Sequence, residues 1–235
     1  MNDITFTSDM KVEYIDHLGS DIDIARAAWV STMGERADEG DPGRVKGLIN
    51  MLMRDRHGSP FEQGLLRFRV TAPLVVFREH QRHRIASYNE MSGRYTVMEP
   101  NFYIPAASRP LIQVGKPGAY QFYKGEPEQQ GAMVAAFADS SATAWESYMF
   151  MLDNGIAKEV ARMVLPLNLM STMIVAMNPR ALMNFLSLRV KSENSTYPTF
   201  PMYEIDQVAQ QYETVFADKY PDTWLSFVAN GRVAP

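Results

Sequence analysis

Apolar residues recur along this chain mostly at helical spacing and, in fewer places, at strand spacing. Val45, Leu48, Ile49, Leu52 and Met53 follow Asp41-Pro42, a capping residue with proline at the first helical position. This predicts a helix that Gly58 ends. Leu66, Phe68 and Val70 alternate with Arg67, Arg69 and Thr71, the period of a strand with one wet or ligand-facing side. Pro73 predicts a further helix that runs on into the polar segment beyond it, until Gly93 breaks it. Lys11 to His17 reads as an edge strand, Ile22 to Thr32 as a helix capped by Ser20 or Asp21, and Thr96 to Ile104 as extended. Gly115 to Pro127 reads as loop. A long helix is expected over Glu128 to Asp153, a short one over Ala157 to Val164 stopped by Pro166, and a buried strand over Leu169 to Met177. Asn178-Pro179 repeats the cap-plus-proline signal and opens a helix to about Lys191. Ser192 to Met202 is a polar loop, Tyr203 to Tyr220 a final helix, and Trp224 to Val228 a possible extra turn. Helices dominate over a few strands, no repeat or linker interrupts them, and the expected class is α+β.

One stretch breaks the pattern. Gln81-Arg82-His83-Arg84-Ile85-Ala86-Ser87-Tyr88-Asn89-Glu90-Met91-Ser92-Gly93-Arg94-Tyr95 holds three arginines, a histidine, a glutamate and two serines among few apolar residues. So polar a run cannot be packed as core. Guanidinium forks suit a phosphate or a carboxylate. Arg82, His83 and Arg84 cannot share one face of a helix or strand. Glu90, Ser92 and Arg94 lie two apart and would point the same way in an extended turn. There Ser92 and the Gly93 backbone can donate to a phosphate and Arg94 can clamp it. The alternative is a solvated basic turn.

Composition narrows the ligand. The 235 residues carry a net charge of −4, so no global basic field attracts nucleic acid and the arginine cluster favours a small anion. There are no cysteines, which excludes disulfides, thiolate metal sites and thiol nucleophiles. No metal-ligand spacing, glycine-rich phosphate loop or nucleophile elbow is visible. No apolar run approaches the ~18 residues needed to span a bilayer, and Met1 to Ser8 shows no secretory pattern. The expectation is a cytoplasmic protein with neither membrane nor nucleic-acid partner.

Three further positions each have two readings. Arg189 shares a helical stripe with Leu182, Phe185 and Leu186. Arg162 lies within Val160-Ala161-Arg162-Met163-Val164. Either arginine makes a structural ion pair or meets an anionic ligand. His57, before Gly58, is either a capping histidine or a functional one. Arg180 and Asn184 are four apart on another face, and Asn178 sits at a helix start that favours anions.

The run from Arg82 to Tyr95 closely resembles the signature of flavin-dependent thymidylate synthases. His57-Gly58-Ser59-Pro60-Phe61-Glu62, Glu159-Val160-Ala161-Arg162-Met163-Val164-Leu165-Pro166, and Asn178 to Phe185 with Leu188-Arg189 resemble further segments of that family, in its order. The resemblance covers roughly Met10 to Tyr220. It implies helices packed around a small, mostly antiparallel sheet in a single domain over residues 1–235, and a homotetramer whose active sites are shared between subunits. It implies reductive methylation of dUMP to dTMP, a step of nucleotide biosynthesis, with methylenetetrahydrofolate as carbon donor and NADPH-reduced FAD as hydride source. A family variant that hydroxymethylates, or takes another pyrimidine nucleotide, is the alternative. A regulatory RNA-binding protein is a third reading, against which the net charge argues.

Carried over by position, the resemblance assigns dUMP contacts to Glu79, Arg82, Glu90, Met91, Ser92, Gly93, Arg94, Arg162 and Arg189. It assigns flavin contacts to His57, Ser59, Arg82, His83, Arg84, Glu90, Asn178, Arg180 and Asn184, and no metal. Arg189 is expected to be the catalytic cation that polarises the uracil ring. The lack of cysteine fits a route without an enzyme nucleophile. Two features depart from the family pattern: Glu79 stands where many members have glutamine, and no histidine follows Arg189 in the loop from Lys191 to Met202.

Overall fold

The structure is a computed structural model that describes residues 3–235. The strands are β1 (Thr5–Thr7), β2 (Lys11–Leu18), β3 (Leu65–Pro73), β4 (Ser87–Glu90), β5 (Asn101–Tyr103), β6 (Ile112–Val114), β7 (Gln121–Tyr123) and β8 (Met170–Met177). The helices are α1 (Asp21–Met33), α2 (Val45–Arg54), α3 (Leu74–His80), α4 (Pro127–Asp153), α5 (Lys158–Ala161), α6 (Pro179–Arg189), α7 (Tyr203–Lys219) and α8 (Pro221–Ala229). The α+β class holds. A four-stranded sheet has the order β2-β3-β8-β4, β1 pairs with β5, and β6 pairs with β7.

Patterning explains most of these elements. On β3, Leu66, Phe68 and Val70 are fully buried while Arg67 and Arg69 are exposed. Asp16 and Glu13 of β2 pair with those two arginines, so the wet face is a surface of ion pairs. The helix of α6 starts as its sequence predicts. The Asn178 side chain accepts from the Ala181 N–H at 2.7 Å, and Pro179 takes the first position.

Three expectations need correction. The helix after Pro73 ends at His80, and the polar segment turns and becomes β4. The helix after Asp41-Pro42 begins with a 3₁₀ turn and ends at Arg54, before Gly58; Arg56 takes a left-handed conformation (φ 64) that reverses the chain ahead of His57. The Gly115 to Pro127 stretch contains β7, paired antiparallel with β6 across a turn in which Gly118 has φ 80.

The chain forms two compact units. Of the described residues, the first comprises 3–11, Val70–His80 and Asn89–Met173. Its core gathers Met98, Phe102, Trp145, Tyr148, Ala161 and Leu169. The Tyr148 hydroxyl accepts from the Met98 N–H at 3.1 Å, so the loop following the arginine-rich segment is tied to α4. The second comprises Val12–Arg69, Gln81–Tyr88 and Ile174–Pro235. There Phe68 meets Tyr212 edge-on with centroids 4.6 Å apart, and Phe185 meets Tyr212 at 5.5 Å. The buried Arg232 pairs with the partly buried Glu213, which also accepts from the Trp224 indole N–H at 3.0 Å.

Candidate functional site

In the first unit the site residues gather on a tight turn. Glu90 ends β4 and accepts a hydrogen bond from the buried Ser171 hydroxyl at 3.2 Å. The Met91 N–H bonds the Thr172 carbonyl at 2.9 Å, extending the strand's anchorage by one residue. The chain then folds back rather than staying extended. The Tyr95 and Thr96 N–H groups both turn to the Ser92 carbonyl, at 3.1 and 3.2 Å. The expected common direction of Glu90, Ser92 and Arg94 is therefore replaced by a loop. Arg94 is exposed and its Nε donates to Glu159 at 3.0 Å. Lys158 Nζ donates to the Tyr95 carbonyl at 3.1 Å. Gly93 is buried against Arg162: a side chain there would meet Met98 Sδ at 3.0 Å and Arg162 Cδ at 3.2 Å. Glycine allows Met98 and Arg162 this close an approach to the turn. Glu79 lies half-buried in the last turn of α3.

In the second unit the residues gather round α6. Arg82 and Arg84 are exposed, and His83 between them is half-buried. The His83 ring lies edge-on to Phe185, with centroids 4.8 Å apart. Its Nε2 accepts from Arg189 Nε at 3.1 Å. Burial first, and then the charge of Arg189, push His83 down to about 4, so the imidazole is neutral near pH 7. The Tyr88 hydroxyl donates to the His83 carbonyl at 2.7 Å, and burial lifts that hydroxyl to about 12. At the other end of α6, Arg180 Nη1 donates to Glu62 and its Nε to the Pro235 main-chain oxygen, both at 2.5 Å. A side chain at Gly58 would lie 2.5 Å from Arg180 Nε. His57, Ser59 and Asn184 are exposed. The Thr196 N–H bonds the Gly231 carbonyl at 2.9 Å, pinning the loop after Lys191.

Of the sixteen positions expected from sequence, seven lie in the first unit and nine in the second. Four partners of those residues were not singled out. Glu159 and Glu62 hold Arg94 and Arg180; both stand in the recognised segments, and their opposite charge was the available signal. Ser171 and Tyr88 carried no such signal, because their contacts arise only when strands and turns come together. Among the described residues no group of acidic, histidine or cysteine side chains could hold a metal, and no helix is long and apolar enough to cross a membrane.

Residues 13–222 match the family model described as thymidylate synthase complementing protein. The chain belongs to that family. Its relatives extend over nearly the whole length. It is 48% identical, over 99% of this chain and 98% of the relative, to the flavin-dependent thymidylate synthase of Tropheryma whipplei (strain TW08/27). It is 50% identical, over 99% and 96%, to the flavin-dependent thymidylate synthase of Streptomyces coelicolor. The fold matches the crystal structure of the UMP/dUMP methylase PolB from Streptomyces cacaoi bound with 5-Br dUMP, with a TM-score of 0.94 and 44% identity over 99% of this chain and 100% of that one. The same methylase bound with 5-Br UMP matches with a TM-score of 0.92.

Proposed function

We propose that this protein methylates dUMP to dTMP, taking the carbon from methylenetetrahydrofolate and reducing equivalents from NADPH through FAD. The observation that carries the reading is a family member with no cysteine anywhere in its sequence. The lack of a thiolate fits a route in which a reduced cofactor, and not an enzyme nucleophile, activates the pyrimidine. The FAD, once reduced, supplies hydride chemistry that no side chain here can supply.

The donor set of the second unit fits a flavin dinucleotide. Arg82 and Arg84 offer exposed guanidinium groups for a diphosphate, and the N-terminus of α6 offers positive dipole beside Asn178 and Arg180. Gly58 leaves the space that Arg180 occupies. His57, Ser59, His83, Asn184 and Glu90 complete the flavin contacts, with His57 near the flavin and folate. The first unit fits a nucleotide monophosphate. Ser92, the Gly93 backbone, Arg94 and Arg162 bind the phosphate and sugar, while Glu79, Glu90 and Met91 frame the remainder; Arg82 of the second unit is assigned to the nucleotide as well as to the flavin. Arg189 stabilises the negative charge that develops on the ring N3 and carbonyl oxygens when electrons enter the C5–C6 bond. Ser92 is read as a binding residue and not a nucleophile; its Oγ accepts from the Arg94 N–H at 3.3 Å.

The homotetramer with shared sites is part of this proposal. Tyr95, Phe150 and Met163 are 78%, 67% and 77% exposed, a cost in water that burial against other copies removes. Light scattering on the purified protein tests it.

A second reading, that UMP is also a substrate, is favoured by the 44% identity to a methylase described as acting on UMP and dUMP. The deciding experiment adds FAD, records the visible spectrum before and after NADPH, and identifies products from dUMP and UMP by mass. A flavin spectrum that bleaches and dTMP as product are expected. A protein that takes up no flavin contradicts the proposal.

A further inference from the structure

We propose that His83 is the positioning residue of Arg189, its Nε2 lone pair fixing the guanidinium in the orientation that meets the pyrimidine. This rests on the reading of Arg189 given above.

The two residues come from distant parts of the sequence, yet Arg189 Nε points at His83 Nε2 at 3.1 Å. Arg189 is the last residue of α6, followed by the buried Val190. A long side chain at a helix end has much rotamer freedom, and ordering it during the reaction costs rate. An imidazole is well suited to remove that freedom. It accepts one hydrogen bond along a fixed direction and adds no negative charge, so it steers the cation without offsetting it. A carboxylate in the same place would steer and neutralise together.

The acceptor is itself held. Phe185 stands one turn before Arg189 on α6 and presents its ring to His83 at 4.8 Å. Tyr212 backs Phe185, and Phe68 backs Tyr212. The Tyr88 hydroxyl fixes the His83 carbonyl. For Nε2 to accept, the ring must be neutral with its proton on Nδ1. Its burial and the Arg189 charge favour that form. Arg189 from α6 is the charged group that acts on it, and the Tyr88 hydroxyl bonds its main-chain carbonyl. Beside its flavin contact, His83 thereby has a task that its exposed neighbours Arg82 and Arg84 do not share.

The test is a double-mutant cycle on the flavin-loaded protein with dUMP. His83→Phe keeps a flat ring and removes the acceptor; His83→Gln returns an acceptor near the same place. The expected fall in kcat for His83→Phe is about tenfold to a hundredfold, measured with FAD raised until the full bound-flavin spectrum is reached, with partial recovery in His83→Gln. In an Arg189→Lys background, His83→Phe should change kcat less than about twofold. Losses that multiply independently, or a His83→Phe protein that loses only flavin and turns over normally when saturated with it, overturn the proposal. Imidazole nitrogen NMR provides an arm independent of turnover. The His83 signals should report a neutral ring protonated on Nδ1, and Arg189→Lys should shift Nε2. An Nε2 that is protonated near pH 7, or indifferent to Arg189→Lys, overturns the contact. Failure of the parent protein to make dTMP, with the NMR signature intact, refutes the dUMP reading and leaves the contact standing.

Discussion

Arg94 rests on a carboxylate at an exposed surface, whereas Arg189 donates to an imidazole seated among buried rings. In the first unit the turn from Ser92 to Thr96 is short, half exposed, and tied down by Lys158, Glu159 and the Tyr148 hydroxyl. In the second, the ring ladder from Phe68 through Tyr212 and Phe185 to His83 supplies rigidity. The physical lesson concerns what each cation must do. A cation that grips a fixed phosphate can trade one anion for another on binding. A cation that meets charge only as it develops must already be in place, because reorganisation at that moment raises the barrier.

That contrast can be broken in graded steps. Arg189→Ala should have the largest effect, about 10²–10³ in kcat, equivalent to about 2.7–4 kcal/mol, with flavin still bound. Steady-state turnover at saturating dUMP reads it. Next is Gly58→Ala. The backbone there is helical (φ −79, ψ −31), so alanine fits the conformation and the effect comes from its collision with Arg180. Displacing that side chain should weaken FAD binding about tenfold or more, measured by absorbance titration. Gly93→Ala presses on Met98 and Arg162, which are flexible side chains. It should raise KM for dUMP only a few-fold and leave FAD affinity alone.

Acid should act through His83. Its pKa is about 4 in the folded protein against an ordinary 6.5, so between these values the unfolded chain binds the proton better. The contribution is complete above about pH 6.5 and is lost as pH falls towards 4. Urea unfolding at several pH values should show that slope reduced in His83→Phe. Asp21 has the opposite sign. Burial raises its carboxyl although it accepts from the Asp222 and Thr223 N–H groups, so its share of stability grows as pH falls through its raised value. The smallest effect is expected of Glu159→Gln. Both partners of its pair with Arg94 are about half exposed, and the loss in folding stability should stay below about 1 kcal/mol by denaturant titration.

The sequence foretold what local periodicity can carry. The wet and dry faces of β3, the capped start of α6 and the long α4 were legible because neighbours in sequence decide them. The end of α3 was not. Nothing between Pro73 and Gly93 marks His80 as its last residue, and β4 exists only in a sheet with β8, which lies far along the chain. The parallel pairing of Thr5, Phe6 and Thr7 with Asn101, Phe102 and Tyr103 was invisible for the same reason. The candidate site divides in the same way. Its cations were conspicuous against an acidic background. The partner of Arg94 was signalled by the opposite charge of Glu159, whereas the contact of Arg189 with His83 was hidden, since the two meet only after folding.

Gly231 shows how such hidden dependence would look to genetics. Its φ is 73, its carbonyl holds the Thr196 N–H, and a side chain there would collide with the Thr196 hydroxyl. Thr196 belongs to the loop that leaves α6 just after Arg189. In a scan of all substitutions, position 231 should therefore look as intolerant as a ligand-binding residue, although none of the ligand roles argued above falls on it. Its constraint is one of space, passed along the chain. A ranking of positions by mutational sensitivity would place it inside the active site, and only the backbone angle would reveal why it does not belong there.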